Sequence, residues 1–502
     1  MKMKNIFKYM MAGVAAVTML SCEMDLLPTT SIAYDESKPL FLTANDVQSF
    51  QNGVMISYRS LQYGVFTQTS EVTTSCFNAT LDYGNNYGTN HRADNTLTAG
   101  DYNTADMWNN HYVAIKNYNI AIANADNVDE SLKAAAQHLK GIALFCRASS
   151  YIQLARHFGY VYNPATAATD PCVPLVTVYD QLKKAERATV KQVYDQIIAD
   201  LNAAEPLLAS APGAVRSQLP TVDAVKALKA RYYLDVKDYA NAAKMAEEVI
   251  ATGKYALASN AEEMAAEYTN DEGTEPIMQL YASQSEGTVG NTIYTAVRNE
   301  DAGKYFAPYY LPSQYLVSAY DATDIRFTNW FTNSLYPVKM SGVRHAGVTV
   351  FVKYLDNPAL HTGTIETGAH AAKPLLISEM YLIAAEANAL NNNAEAAKTA
   401  LNALQTARSA NNTEATIENI KKEWMKETVG EGLYFTCVKR WGEGFPERPG
   451  HSVAAEKGLL MTGVGYQDRT IEANNRVFNW PIPTYEMQLN KELQQNPGYG
   501  AE

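Results

Sequence analysis

Cysteine is scarce in this chain, with five residues among 502. Apart from Cys22, near the N-terminus, Cys76, Cys146, Cys172 and Cys437 stand far apart, with no Cys-x-x-Cys pair and no histidine pattern beside them. This excludes a zinc-ligand signature and a disulfide framework, and leaves buried free thiols as the expectation. Positive charge is in deficit: 41 Lys and Arg face 53 Asp and Glu, a formal net charge of −12, which argues against nucleic acid as a partner. Beyond Leu20 no apolar run is long enough to span a bilayer. There is no Gly-x-Ser-x-Gly elbow and no Gly-rich phosphate-cradling loop ahead of a helix. His345, His361 and His370 lack the short spacing of a zinc site, and Asp271-Glu272-Gly273 lacks the alternating oxygens of an EF-hand and reads as a solvated loop. No metal and no cofactor are expected.

What is present is ordinary globular hydrophobicity, 47%, with an excess of rings: 33 Tyr, 14 Phe and 5 Trp. Amphipathic rings need a core or a wet binding surface to hold them. At the N-terminus Lys2, Lys4 and Lys8 precede an apolar run from Tyr9 to Leu20. Twelve helical residues rise about 18 Å, too short to cross a membrane but suited to a secretory signal. Met19-Leu20-Ser21-Cys22 resembles a bacterial lipobox, so residues 1–21 are expected to be removed and Cys22 to carry lipid, anchoring the protein without spanning. The alternative is a plain cleaved signal with an incidental Cys22.

After a tether over 22–45, Asn45 or Asp46 can cap a helix carrying Val47, Phe50, Val54 and Leu61. Periodicity fails from Tyr63 to Asp106, which reads as a long loop with short strands. Helical spacing returns at Trp108, Tyr112, Ile115, Asn119 and Ile122, and continues from Leu132 to Ala155 until Gly159 and Pro164 stop it. From Thr221 to Tyr255 two apolar stripes flank a break at Lys237-Asp238, an antiparallel hairpin of tetratricopeptide type. A second such unit runs from Leu376 to Leu404 around Asn391 to Asn393. Hairpins of this kind bury their stripes only against neighbours. The expected fold is therefore mostly α, stacked hairpins with a loop-rich lobe, the alternative being an unrelated helical bundle. The expected divisions are a helical region over 46–260 with a loop insertion at 63–106, a loop-rich ligand lobe over 261–374 with strands near Pro276 to Tyr281 and Val348 to Tyr354, and a C-terminal helical region and tail over 375–502.

Several segments in this order resemble the SusD/RagB family of outer-membrane, glycan-binding lipoproteins. They are Cys22-Glu23-Met24-Asp25-Leu26-Leu27-Pro28, Trp108 to Asn119, Arg147-Ala148 through Phe158-Gly159, Val193-Tyr194 with Asp200-Leu201, and Ala227 to Tyr255. Ser378-Glu379-Met380-Tyr381-Leu382 with Ala385-Glu386-Ala387, Glu431-Gly432, Arg440-Trp441-Gly442 and the ending Pro481-Ile482-Pro483 to Tyr499 complete the set. The chain departs from the family pattern where Tyr434, Cys437 and Val438 replace an Arg and an Asp-Leu, and where Lys373 to Leu376 lacks an Arg; lost ion pairs are expected there. The resemblance implies a protein that is not an enzyme, sits on the outer membrane facing outward through its lipid anchor, captures oligosaccharide, and delivers it to a TonB-dependent SusC-like transporter.

A sugar presents an apolar face ringed by hydroxyls, so its site needs rings to stack and polar side chains at the edge. Two stretches carry that mixture, and the resemblance implies that ligand is held by loops from the same two zones. In the first, Asp82, Tyr83, Asn86, Tyr87 and Arg92 are expected to touch ligand; in the second, Arg298, Tyr305, Tyr310 and Trp330. The alternatives are a secreted glycoside hydrolase or a tetratricopeptide-type protein-binding scaffold. Glu379 and Glu386, seven residues apart on one helix face, read as structural rather than as a catalytic carboxylate pair.

Overall fold

The computed structural model describes residues 39–180, 184–286, 288–289, 292–450, 456 and 458–500. The signal segment, Cys22 and the tether as far as residue 38 lie outside the described residues. Helices α1 (Ala44–Ser60), α2 (Val65–Thr73), α3 (Gly88–Arg92), α4 (Tyr102–Asn124), α5 (Lys133–Phe158), α6 (Val190–Leu207), α7 (Val222–Asp235) and α8 (Tyr239–Ile250) form the first half. Helices α9 (Ala261–Tyr268), α10 (Gln314–Val317), α11 (Ile325–Trp330), α12 (Ile377–Leu390), α13 (Ala394–Ala407), α14 (Ile417–Thr428), α15 (Tyr434–Trp441) and α16 (Thr484–Leu489) follow. The mostly α fold expected from periodicity is what the chain adopts.

The helix starts show why. At α1 the cap is Thr43, two or three residues earlier than expected: its hydroxyl accepts from the Asp46 N–H at 3.2 Å while the Asp46 carboxylate accepts from the Thr43 N–H at 2.7 Å. This reciprocal pair places Asp46 inside the helix and satisfies two free backbone donors. Thr221 caps α7, Lys237 at φ 64° makes the expected break, Asp238 caps α8, and Gly159 ends α5. The α7–α8 hairpin packs through α8 on α12, so that α4, α5, α6, α7, α8, α12 and α13 form a continuous stack although more than a hundred residues separate α8 from α12.

Buried ion pairs tie the stack together, and they use the residues of the sequence motifs. Arg147 on α5 holds Asp200 on α6 at 2.6 Å, Arg156 holds Asp235 on α7 at 2.8 Å, and Arg231 on α7 holds both oxygens of Glu379 on α12 at 2.5 Å. Glu386 accepts from Arg440 at 2.5 Å and from the Trp441 indole at 2.7 Å. Glu379 and Glu386 are thus scaffold residues. Cys76, Cys146, Cys172 and Cys437 are free and buried. Asp271 is not the solvated acid its loop suggests: it accepts from Lys373 at 2.5 Å and from Asn357 at 2.6 Å, because Lys373 is itself buried and needs a counter-charge.

Part of the 63–106 segment departs from a loop. Helix α2 lies there with Gln68 to Thr73 all buried, and five of those six side chains, Gln68, Thr69, Ser70, Glu71 and Thr73, are polar, so no apolar stripe announces it. It packs against the Glu431-Gly432 turn. Gly432 has φ +72°, and a Cβ there would lie 2.8 Å from the Thr67 Cα; its N–H donates to Glu71 at 3.1 Å. Gly432→Ala is expected to cost about 2 kcal/mol or more, read as a lower urea midpoint. Glu71 is fully buried with one carboxylate oxygen unpartnered. Burial pushes its pKa up from 4.5 to about 7, against the backbone donors of Gly430 and Gly432 and the charge of Lys353. A carboxyl whose folded pKa is raised contributes stability that is complete below its unfolded value and lost as pH rises through the folded one. Glu71→Gln should therefore gain stability relative to the parent between pH 5 and 8, by about 3 kcal/mol, measured as the difference in unfolding free energy at each pH.

The lobe combines the helices α9, α10 and α11 with short strands. Strand β1 (Phe77–Ala79) precedes the helices α4–α8; β2 (Pro171–Pro174) and β3 (Arg187–Thr189) pair between α5 and α6. In the lobe lie β4 (Pro276–Met278), β5 (Thr288–Val289), β6 (Val297–Glu300), β7 (Gly303–Phe306), β8 (Tyr310–Pro312) and β9 (Phe331–Thr332). They are followed by β10 (Val338–Met340), β11 (Val343–His345), β12 (Val350–Phe351), β13 (Ala369–His370) and β14 (Leu375–Leu376). β4 and β12 fall where strands were expected. The largest sheet has the order β11-β10-β7-β6 and covers a small second core of Val297, Phe306, Leu311, Val338, Met340 and Leu459, among others.

Candidate functional site

The two ring-rich stretches meet around β1. On one side β1 pairs antiparallel with β8, Ala79 opposite Tyr310, and the Thr80 N–H continues to the Tyr309 carbonyl at 2.9 Å. On its other side Leu81 donates to the Leu459 carbonyl and Met461 to the Ala79 carbonyl, both at 2.9 Å. A short strand with partners on both edges therefore brings together residues 80–92, the lobe and a third segment, 459–469. The Asp82 carboxylate accepts from the Ser341 N–H at 2.7 Å, which docks the β10–β11 turn beside the first loop.

The named residues divide. Asp82 and Arg298 are exposed, and Asn86, Tyr87, Arg92 and Tyr305 are half-buried. Tyr83 keeps only 6% exposure; its hydroxyl shares a hydrogen bond with Tyr466 at 2.8 Å and accepts from Arg92 at 3.2 Å. Burial first, then the Tyr466 hydroxyl, push the Tyr83 phenol up to about 12, so it stays neutral. Tyr87 donates to Gln68 at 3.0 Å, and the Asn86 amide to the Tyr83 carbonyl at 2.8 Å.

Two expectations are corrected. Trp330 and Tyr310 are both 0% exposed. Trp330 ends α11 beneath the Lys353 ammonium, 4.0 Å from its ring, with Tyr268 at its edge, so it is a core residue of the lobe. Tyr310 is sealed because β8 pairs with β1; its hydroxyl donates to the Asn86 carbonyl and its ring lies 5.0 Å from His91. It supports the loop from beneath.

Tyr305 takes the opposite orientation for a reason of register. On β7 Phe306 faces the small core, so Tyr305 faces outward, opposite Arg298 on β6. On the same face Lys339 and Arg344 lie 5.1 and 5.0 Å from its ring, and Glu300 binds them at 2.7 and 2.8 Å. Exposed apolar side chains rim the site: Leu81, Val343 and, at 98% exposure, Val464.

The 459–469 segment was not singled out from sequence, although Gly463-Val464-Gly465-Tyr466 carries the same glycine-and-ring signature. Gly465 packs on the Arg92 side chain, and Tyr466 lies edge-on to Tyr83. Beneath them Arg448 and Arg469 are buried, and their donors go to main-chain oxygens. Arg448 reaches His91 at 2.9 Å, Gly465 at 2.8 Å and Tyr466 at 3.0 Å; Arg469 reaches His91 at 3.0 Å and Thr73 at 2.8 Å. A separate internal cleft of about 70 Å³, lined by Tyr63, Arg231, Tyr354, His370 and Glu431 among others, includes none of the residues expected to touch ligand. It is far below the size of a sugar pocket, and Arg231 and Glu431 there are already paired.

Among the described residues no helix is long and apolar enough to cross a membrane, and no group of three His, Cys, Asp or Glu is placed to hold a metal. No curated protein matches the chain. Solved structures do: a SusD superfamily protein from Bacteroides thetaiotaomicron is 25% identical over 91% of this chain and 100% of its own, with a TM-score of 0.75. A SusD superfamily protein from Bacteroides vulgatus is 23% identical over 92% and 100%, with a TM-score of 0.72. The surface glycan-binding protein A from Bacteroides fluxus is 18% identical over 91% and 100%, with a TM-score of 0.68, a likeness of fold. Residues 34–234 match a family model described as starch-binding associating with outer membrane. Residues 230–499, more than half of the chain, match the model of the SusD family, and the protein belongs to that family.

Proposed function

We propose that the protein is a cell-surface glycan-binding lipoprotein, held to the outer membrane by lipid at Cys22, that captures oligosaccharide and delivers it to a TonB-dependent SusC-like transporter. The observation that carries this reading is the convergence of three segments on one surface, where Tyr305 and Tyr87 are half-open and Asp82, Asn86, Arg92 and Arg298 supply polar edges. Rings for the apolar face of a sugar and hydrogen-bonding groups for its rim are what capture without cleavage requires. Family membership supports the reading. The helical stack offers the docking side for the transporter, and tethering both proteins to one membrane makes modest glycan affinity sufficient.

The test is affinity electrophoresis and calorimetry of the purified protein against a polysaccharide panel, with reducing ends assayed in parallel. Retention of at least one polysaccharide without new reducing ends is expected, and Tyr305→Ala should weaken it about tenfold, the worth of one stacked ring. Release of reducing ends would establish a hydrolase instead. Failure to bind any polysaccharide, together with recovery of no barrel protein in a gentle detergent pull-down, would leave a scaffold.

A further inference from the structure

The charge at this surface runs against the charge of the chain. The protein carries a net −12, yet, Asp82 and Glu300 apart, the charged groups named around the site are cationic. On the open face of the β11-β10-β7-β6 sheet Arg298, Lys339 and Arg344 surround Tyr305, with Glu300 as the only acid bound to them among the described residues. Arg344 spends its donors on Glu300 and on the carbonyls of Gly303 and Lys304. The Arg298 side chain is exposed and makes no hydrogen bond or ion pair among the described residues, and the Lys339 ammonium uses one donor, on Glu300. An ammonium has three donors and a guanidinium five, so most of this capacity faces water.

A second set of charges lies below the neighbouring loops. Arg448 and Arg469 are 0% and 6% exposed, and neither has a carboxylate partner among the described residues. Other buried arginines of this protein, Arg147, Arg231, Arg326 and Arg408, each face one or more carboxylates. Burial and mutual repulsion push the Arg448 pKa down, but a guanidinium remains protonated in proteins. Two positive charges in a low-dielectric floor project an attractive potential for anions through the thin layer of Gly465, His91 and Arg92 above them.

We infer that the saccharide taken by this surface is anionic, bearing carboxylate or sulfate groups, with Arg298 and Lys339 beside Tyr305 as the pair that receives the acid. The inference rests on the glycan-binding reading and sharpens it to a substrate class. Tyr305 contributes ring surface at the edge of the cation pair, and the acid group completes the donors that Glu300 leaves open. Charge-assisted hydrogen bonds of this kind are about twice as strong as neutral ones.

The experiment uses the full mature protein with two pairs of probes: polygalacturonate against its methyl-esterified form for carboxylate, and dextran sulfate against dextran for sulfate. Each is measured by affinity electrophoresis and calorimetry at low and at moderate salt. At least one acidic polymer should bind ten-fold or more tighter than its neutral counterpart, with affinity falling as salt rises. The double variant Arg298→Gln with Lys339→Gln should lose about ten-fold in affinity for that polymer with its melting temperature unchanged. Whichever pair responds identifies the acid. Equal affinity for charged and neutral forms, or an acidic preference untouched by the double variant, would overturn the inference and leave glycan capture standing. Absence of binding to these probes and to the neutral panel alike would overturn both.

Discussion

Arg408→Met should cost about 3–5 kcal/mol of stability, enough to leave much of the protein unfolded at growth temperature. Arg408 follows α13 and is fully buried; it holds Glu427 at 2.5 Å, Glu275 at 2.8 Å and the Ala258 carbonyl at 2.7 Å. Arg326 on α11 reaches the same Glu427 at 2.8 Å, with Asp324 at 2.7 Å and Glu423 at 2.6 Å. Burial alone would raise the Glu427 pKa, but the Arg408 and Arg326 charges overcome it and hold the carboxyl well below the ordinary range. Without Arg408, Glu275 and Glu427 remain in the interior short of a counter-charge, and the link between the lobe and the C-terminal helices opens. Thermal unfolding followed by circular dichroism gives the measure. The double variant Arg408→Met with Glu275→Gln should recover part of the loss, because one stranded charge goes with it. A single-variant melting temperature within two degrees or so of the parent would refute this account.

Arg448→Met should abolish glycan retention and cost stability as well, on the order of 3 kcal/mol. Its guanidinium joins segments far apart in sequence: the donors to His91, Gly465 and Tyr466 connect loop 80–92 to loop 459–469. Methionine fills similar volume and leaves those carbonyls short of donors in the interior. Tyr466 and Tyr83 should then lose their mutual position, and with it the Arg92 side chain between them. Arg448→Lys should restore little, since a point ammonium cannot match a planar fork that serves several carbonyls at once. Calorimetry on the best-binding polysaccharide, with melting temperature recorded alongside, checks both parts. Normal affinity in a variant that melts lower would show that the floor supports the fold and not the site.

The two results rest on different kinds of information. Apolar stripes at helical spacing, a Thr or Asp at the start and an Asn or Gly at the stop are local properties. Stripes with Thr221 and Asp238 as caps determined the hairpin 221–255; the hairpin 376–404 rests on its stripes and the Asn391 to Asn393 turn, since Leu376 gives its first helix no side-chain cap. The sequence also determined that Cys76, Cys146, Cys172 and Cys437 stand apart and that two stretches concentrate rings and polar side chains. It did not reveal α2, whose buried side chains are largely polar and whose partners come from the Glu431-Gly432 turn, nor that Arg231 and Glu379, 148 residues apart, form one ion pair.

Which rings of the two stretches meet water was decided by tertiary pairing. Trp330 and Tyr305 are alike in local composition, but one ends a helix under Lys353 and the other stands on the outer face of a strand whose next residue, Phe306, fills a core. Strand faces alternate at every residue, so a single step of register exchanges a buried ring for an exposed one. The third segment, with Tyr466 and Val464, joins the site only because Leu459 and Met461 pair beside β1. Residue chemistry alone determined that rings and polar side chains concentrate in two stretches; long-range strand pairing and buried charge decided which of them share a surface, because neither leaves a periodic trace along the chain.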